Sequence, residues 1–214
     1  MQEKRLITVS CVPGTDADVV LSPAVGHQGA TIALGRDAEP VPVSIASTGH
    51  AVNVAVAAGI ALAADVPLTV IAARLGALPG SQHRAEVQEA PSGTLVIDDT
   101  YNANPVGALA ALREAADLAA ERGGPLVVVT PGIVELGPVQ HERNAAFAEA
   151  VVRAGGRLVV VGRTNRAALL AGAARAGGTA DVADRREPAV TLATSVAGER
   201  GVVLYENDLP DHYP

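Results

Sequence analysis

The sequence predicts an α/β protein in two parts, a short strand-and-helix region over residues 1–83 and a Rossmann-like, doubly wound domain over residues 84–214. Three observations carry this. From residue 94 onward, short apolar runs of strand length alternate with segments of helical period, and most of those segments stop at a glycine pair. The strands among them, such as Leu-Val-Val-Val-Thr at 126–130, are apolar throughout, as in parallel sheets covered on both faces. The first 45 residues instead hold β-prone runs broken by turn residues, with an Ala-rich helical stretch after them.

In order, residues 6–9, 19–21, 30–34 and 41–45 read as strands, each bounded by Gly, Pro or Asp, the punctuation of hairpins. The stretch from His50 to Ala64 is apolar nearly all round, which predicts a buried helix. Pro67 suits the first turn of a second helix ending about Leu75. Residues 78–82 read as a linker. Strands at 85–88 and 94–97 flank a Pro-Ser-Gly turn. The remaining order is helix 105–121, strand 126–130, helix 139–154, strand 158–161, helix 166–176, a weak strand 180–182, helix 187–196 and strand 201–205. That alternation predicts a doubly wound sheet. Four short strands and two helices bury little surface, so residues 1–83 are expected to pack on a partner, on a further segment or on the second domain.

Composition narrows the functions. The chain is 49% hydrophobic but only 2% aromatic, so Ala and Val must build its core. A net charge of −7 argues against a nucleic-acid partner, which would call for a basic face. Residues 51–64 form the longest apolar stretch, too short to span a bilayer, and the N-terminus has no apolar signal region. The single cysteine, Cys11, cannot form an internal disulfide. The expectation is a cytoplasmic protein with no membrane segment and no dedicated metal ligands.

The sharpest motif is Leu95-Val-Ile-Asp-Asp-Thr-Tyr-Asn-Ala-Asn-Pro105. A buried strand delivers Asp98 and Asp99 to its carboxyl tip, and a polar turn leads into a helix with Asn104 near the N-cap and Pro105 at N1. Ligands of open α/β sheets bind at such tips. On spacing alone, an ordinary strand–turn–helix junction accounts for the segment equally well.

The wording of the motif resembles the hallmark of the Mur ligases, closest to those adding D-alanyl-D-alanine to the cell-wall precursor. The resemblance implies that the first part is a partial central domain and the second the family's C-terminal domain. It implies that Asp98, Asp99, Tyr101, Asn102 and Asn104 contact a nucleotide. Gly49-His50-Ala-Val-Asn53, before an Ala-rich helix, is similar to a family segment whose polar residues, here His50 and Asn53, face the nucleotide. Arg84 stands where the family has a phosphate-contacting arginine, although Gln82-His83 replace the usual glycine. Glu135-Leu136-Gly137 is similar to the family's second-tip motif, where the acceptor is shaped. The family's histidine beyond it falls on Asn144 by count, with His141 one turn earlier, so Glu135, His141 and Asn144 are the candidate substrate contacts.

The implied reaction is ATP-dependent amide formation with Mg²⁺, in peptidoglycan precursor synthesis. The family's Gly-Lys-[Ser/Thr] phosphate loop does not occur, and Lys4 is the only lysine. On this reading no catalytic residue is assignable, the nucleotide and a muramoyl peptide are ligands of the intact parent, and a partner chain is one source of the phosphate loop. Two alternatives stay open: a non-catalytic scaffold for another ligase chain, or a relative with a different amine acceptor. The end, Leu204-Tyr-Glu-Asn-Asp-Leu-Pro-Asp-His-Tyr213, is acidic where the family has Lys-Gly-Ser, and reads as a lid or a frayed end.

Overall fold

A computed structural model describes residues 6–23, 29–35, 38–45, 51–75, 77 and 85–208, with the side chains of Pro23 and Ser44 left aside. The chain divides into two compact units, residues 1–80 and 81–214. No helix among the described residues is long and apolar enough to cross a membrane.

In the first unit, β1 (Val9–Ser10), β2 (Val19–Pro23), β3 (Gly29–Leu34) and β4 (Val41–Ser44) form one sheet in that order. β2, β3 and β4 pair antiparallel, as their turn-bounded runs predict. β1 departs from the hairpin expectation and runs parallel to β2. The Asp18 carboxylate secures that edge, accepting from the Thr8 amide at 2.8 Å and the Thr8 hydroxyl at 2.7 Å. Two helices follow, α1 (Ala51–Ala63) and α2 (Leu68–Leu75). Pro67 stands just before α2, its carbonyl accepting from Val70 and Ile71.

α1 corrects a second expectation. Only Ala51, Ala55, Ala58 and Gly59 are buried, while Val52, Val56 and Ile60 are exposed. Small residues at spacings of three and four form the side that can approach the sheet, and the wider valine and isoleucine side faces outward.

The second unit is the expected mixed α/β domain. Its elements are β5 (Glu86–Glu89), β6 (Leu95–Asp99), α3 (Pro105–Arg122), β7 (Leu126–Thr130), α4 (Gln140–Arg153), β8 (Arg157–Val161), α5 (Arg166–Arg175), β9 (Ala180–Ala183), α6 (Arg186–Ala197) and β10 (Val202–Glu206). The sheet order is β5-β6-β10-β7-β8-β9. β5 is antiparallel to β6, and all other pairs are parallel.

Alternate residues of the central strands feed two cores. Leu126, Val128, Leu158, Val160, Val202 and Leu204 pack under α3, α4 and α5. Val127, Val129, Val159 and Val203 pack under α6 through Ala189, Ala193 and Ala197. Three helices therefore lie on one face and one on the other. The alanine-rich composition allows this close approach. At Gly172 in α5 a β-carbon would collide with the backbone carbonyl of Ala145 in α4, so that helix pair requires glycine. At the opposite edge, Arg122 clasps the sheet's amino end, its Nη2 donating to the carbonyls of Gly93 at 2.6 Å and Glu199 at 3.1 Å.

Candidate functional site

The five parallel strands β6, β10, β7, β8 and β9 bring their carboxyl tips to one edge, and the polar residues of the unit gather there.

At the β6 tip each residue of the acidic motif has a distinct part. Asp98 turns back on the chain, its Oδ1 accepting from the Thr100 amide at 3.2 Å and hydroxyl at 2.6 Å. Asp99 is buried and accepts from the Ala85 amide at 3.1 Å. Asn104 caps α3, accepting from Val106 at 3.1 Å and Gly107 at 2.9 Å. Tyr101, 65% exposed, and Asn102 project outward from the bend between them. Asp98, Asp99 and Asn104 thus build the turn, and Tyr101 and Asn102 are the side chains it presents.

The β7 tip is a loop set by buried polar groups. Gly132, at φ 83°, packs so closely on Asn144 and Asn165 that a β-carbon there would collide with both. Asn144 is fully buried on α4. Its Oδ1 accepts from the Ile133 amide at 2.8 Å, and its Nδ2 donates to the carbonyls of Ile133 at 2.8 Å and Gln140 at 2.9 Å. Asn165, before α5, donates its Nδ2 to the Pro131 carbonyl, and its Oδ1 accepts from the Gln140 side-chain Nε2. Glu135 is exposed, at φ 63°. A single 3-10 turn, Gly137–Val139, then leads into α4. His141 is exposed and lines a pocket of roughly 400 Å³ with Gly137, Pro138, Gln140, Thr164, Asn165, Ala167 and Ala168. Neither Glu135 nor Asn144 lines that pocket, and the Asn144 amide is spent on the loop itself.

The β10 tip joins the other two. The Asn207 amide donates to the Asp99 carbonyl at 3.1 Å, and its side-chain Nδ2 donates to the Gly132 carbonyl at 2.7 Å. Glu206 is in register with Asp99 on β6, and its Oε2 accepts from the Thr130 hydroxyl on β7 at 3.0 Å. The Thr130 hydroxyl in turn accepts from the Gly132 amide at 2.9 Å. Glu206 Oε1 is buried without a hydrogen-bond partner among the described residues. Burial pushes the Glu206 carboxyl up to about 8, Asp99 adds to the rise, and the Thr130 hydroxyl opposes it.

Sequence reasoning placed Glu206 in a polar tail. It is instead the last residue of the central strand. The available signal was parity: Val202, Leu204 and Glu206 point to one face, and the first two are core residues. Thr130, Gln140, Asn165 and Asn207 were missed altogether, because a loop-holding amide has no pattern in one dimension. In the first unit, Asn53 is exposed on α1. His50, Arg84, the linker at 78–82 and the tail beyond residue 208 lie outside the described residues.

Residues 83–205 match the family model described as Mur ligase, glutamate ligase domain. The curated protein sequences give no match. Among solved structures, MurF from Acinetobacter baumannii superposes with a TM-score of 0.69 at 24% identity, covering 94% of this chain and 43% of that one. The MurF ligase from Thermotoga maritima in complex with ADP gives 0.68 at 19% identity, covering 89% and 43%. A pseudomurein peptide ligase type C from Methanothermus fervidus gives 0.66 at 17% identity, covering 91% and 40%. The chain spans less than half the length of each. The family model spans more than half of the 214 residues, and the fold accords with it: the chain belongs to the Mur ligase family.

Proposed function

We propose that this chain supplies the nucleotide-closing and acceptor-shaping half of an ATP-dependent amide ligase of peptidoglycan precursor synthesis, of the kind that adds D-alanyl-D-alanine. Residues 1–83 are then part of the central domain and residues 84–214 the C-terminal domain. The observation that carries the reading is the pairing, on one sheet edge, of the outward Tyr101–Asn102 bend with the rigid 130–137 loop and its His141 pocket.

The chemistry assigned to this half is positioning. In such a ligase a substrate carboxylate is activated as an acyl phosphate, the acceptor amine attacks it, and phosphate leaves through a tetrahedral intermediate. Tyr101 and Asn102 offer a ring and an amide to a nucleoside. Arg84 is the candidate contact to phosphate, as a planar guanidinium suits. His141, Gln140 and Thr164 surround the space offered to the amine acceptor, with Glu135 beside the same loop. Asn144 contributes by fixing that loop.

The residues do not fit a Mg²⁺–triphosphate site by themselves. Among the described residues no group of three or more His, Cys, Asp or Glu could hold a metal ion, and the sequence has no Gly-Lys-[Ser/Thr] loop. Both would be supplied by other segments of the ligase or by a partner chain.

The test is phosphate release from ATP in the presence of UDP-muramoyl tripeptide and D-alanyl-D-alanine. The intact protein is expected to turn over, and this chain alone to release none above background. Robust turnover by the chain alone overturns the assignment as half a site. No turnover by the intact protein with any amine of a broad panel overturns the ligase assignment.

Two other readings have a specific observation each. A different acceptor is favoured by Thr130-Pro131-Gly132-Ile133-Val134 before Glu135, a departure at the loop that shapes the pocket; turnover with another amine alone would select it. A scaffold role is favoured by the outward Val52, Val56 and Ile60 of α1; a stable complex with another ligase chain would select that one.

A further inference from the structure

Asp99, Glu206 and Thr130 stand in a row across the tips of β6, β10 and β7, and the chemistry proposed above leaves Glu206 without a part. β10 pairs with β6 so that Val202, Leu204 and Glu206 lie beside Leu95, Ile97 and Asp99. The four aliphatic residues belong to the core under α3, so alternation along the strands turns Glu206 and Asp99 to that same face. On β7 the Thr130 hydroxyl donates to Glu206 Oε2 at 3.0 Å. Thr130 and Glu206 are wholly buried, and Asp99 keeps 7% of its surface.

The two ends of the row hold different pieces of backbone. The Thr130 hydroxyl accepts from the Gly132 amide at 2.9 Å, which fastens the 130–137 loop. Asp99 Oδ1 accepts from the Ala85 amide at 3.1 Å, just before β5. Ala85 stands at φ 49°, a left-handed backbone that a residue with a β-carbon rarely adopts. Such a conformation persists only where its surroundings enforce it, and the Asp99 bond is one such constraint. Between the two ends, Glu206 Oε1 has no hydrogen-bond partner among the described residues.

Two neighbouring carboxyls out of water do not both ionise without cost. Among the described residues, Asp99 is the charged group that acts on Glu206. Asp98 and Tyr205 alternate to the other side of the sheet, and Asp208 pairs with Arg186. Above the row, α3 carries the buried Glu114, about two and a half turns beyond its start, and the exposed Arg113 and Asp117. α4 turns the uncharged Asn144 inward, and its His141, Glu142 and Arg143 are exposed. Arg84, next to Ala85 in sequence, lies outside the described residues. Glu206 is therefore the member that keeps a proton, burial lifting its carboxyl to about 8 and Asp99 adding to the rise. Once that proton leaves, the Thr130 hydroxyl donates to a full charge and its bond strengthens. Asp99, closer to solvent, is the carboxylate able to turn away.

We infer that Glu206 and Asp99 form a proton-controlled clasp: with Glu206 neutral, Asp99 stays inside and holds the Ala85 amide, and ionisation of Glu206 releases Ala85 while the Thr130 end stays fastened. The clasp lies wholly within the second unit and needs no ligand. Its use as a control on Arg84, the candidate phosphate contact beside Ala85, rests on the ligase reading.

Nuclear magnetic resonance of the full chain, carrying ¹³C in alanine methyls and glutamate side-chain carboxyls, tests this between about pH 6 and about pH 10. The Glu206 carboxyl signal is expected to titrate far above the other glutamates, and the Ala85 methyl to shift with the same midpoint. The Ala119 and Ala193 methyls, one in each core of the unit, should stay still. Glu206→Gln should hold the Ala85 signal at its low-pH position throughout. Asp99→Asn should lower the Glu206 midpoint and uncouple Ala85 from it. The inference is overturned if Glu206 titrates with ordinary carboxylates, if Ala85 stays still while Glu206 ionises, or if its shift survives in Glu206→Gln. It is overturned equally if the core methyls move together with Ala85, because the event is then unfolding and not a local release. None of these readouts needs turnover, so a failed clasp and a failed ligase assignment are told apart.

Discussion

Glu206 sets the sharpest expectation at the scale of single residues. Its carboxyl titrates near 8 in the folded chain, against the ordinary value of 4.5. Between those values the folded state holds a proton that the unfolded state has released. This contribution to stability is therefore fully present below about pH 4.5, declines as pH rises, and is gone above about pH 8. For one proton the slope approaches about 1.4 kcal/mol per pH unit. Glu206→Gln keeps the shape of the neutral form and cannot ionise. Urea unfolding at several pH values is expected to show the wild type losing stability relative to the variant across that window, and equal slopes would refute the buried neutral carboxyl. Asn144 gives the second expectation. Asn144→Ala strands the amide and carbonyl of Ile133 in the core, and should cost about 2–3 kcal/mol. Hydrogen exchange at Ile133 would rise with it. A variant as stable as wild type would show that the loop is held by other means.

At the scale of elements, α3 and the α4–α5 pair are the informative tests. Asn104 gives its side-chain oxygen to two orphan amides of α3, so Asn104→Ala should cost about 1 kcal/mol and Asn104→Asp little. Equal losses in a thermal melt would show that cap bonding is not the cause. Gly172→Ala forces a β-carbon into the Ala145 carbonyl, and should cost about 1–3 kcal/mol. Most of these elements are legible in the sequence. Glycine pairs after helical segments marked their ends, and Gly123 adopts the left-handed conformation that such an end requires. The runs of the first unit marked strands, but turn residues between two short runs do not reveal whether the second returns beside the first or is displaced, so the parallel β1–β2 pair was missed. The exposed side of α1 was missed because a helix of Ala, Val and Ile has almost no amphipathic contrast. There, residue size decides which side meets the sheet.

For the molecule as a whole, the decisive feature is the place of β10. The last described strand lies in the middle of the sheet, between β6 and β7, with Val202, Val203 and Leu204 fully buried. A chain ending at residue 200 should lose the cooperative melt of the second unit, whereas one ending at residue 208 should keep it. A cooperative melt from the shorter chain would mean that β6 and β7 can close without β10. The same placement joins the acidic bend to the 130–137 loop, because Asn207 can reach Asp99 and Gly132 only from between them. It also leaves β9 to cross back beneath α6.

The sequence by itself determined the class of fold, the alternation of elements from residue 94 onward and the strand-tip motif with its family resemblance. These depend on local periodicity, turn chemistry and the order of a few residues, all of which are written along the chain. The tertiary structure alone decided which tip residues face outward, which amides hold the second loop, and that Glu206 is a buried carboxyl. Each of those depends on strand order and on burial by residues far away in the chain, and neither quantity is contained in any local stretch of sequence.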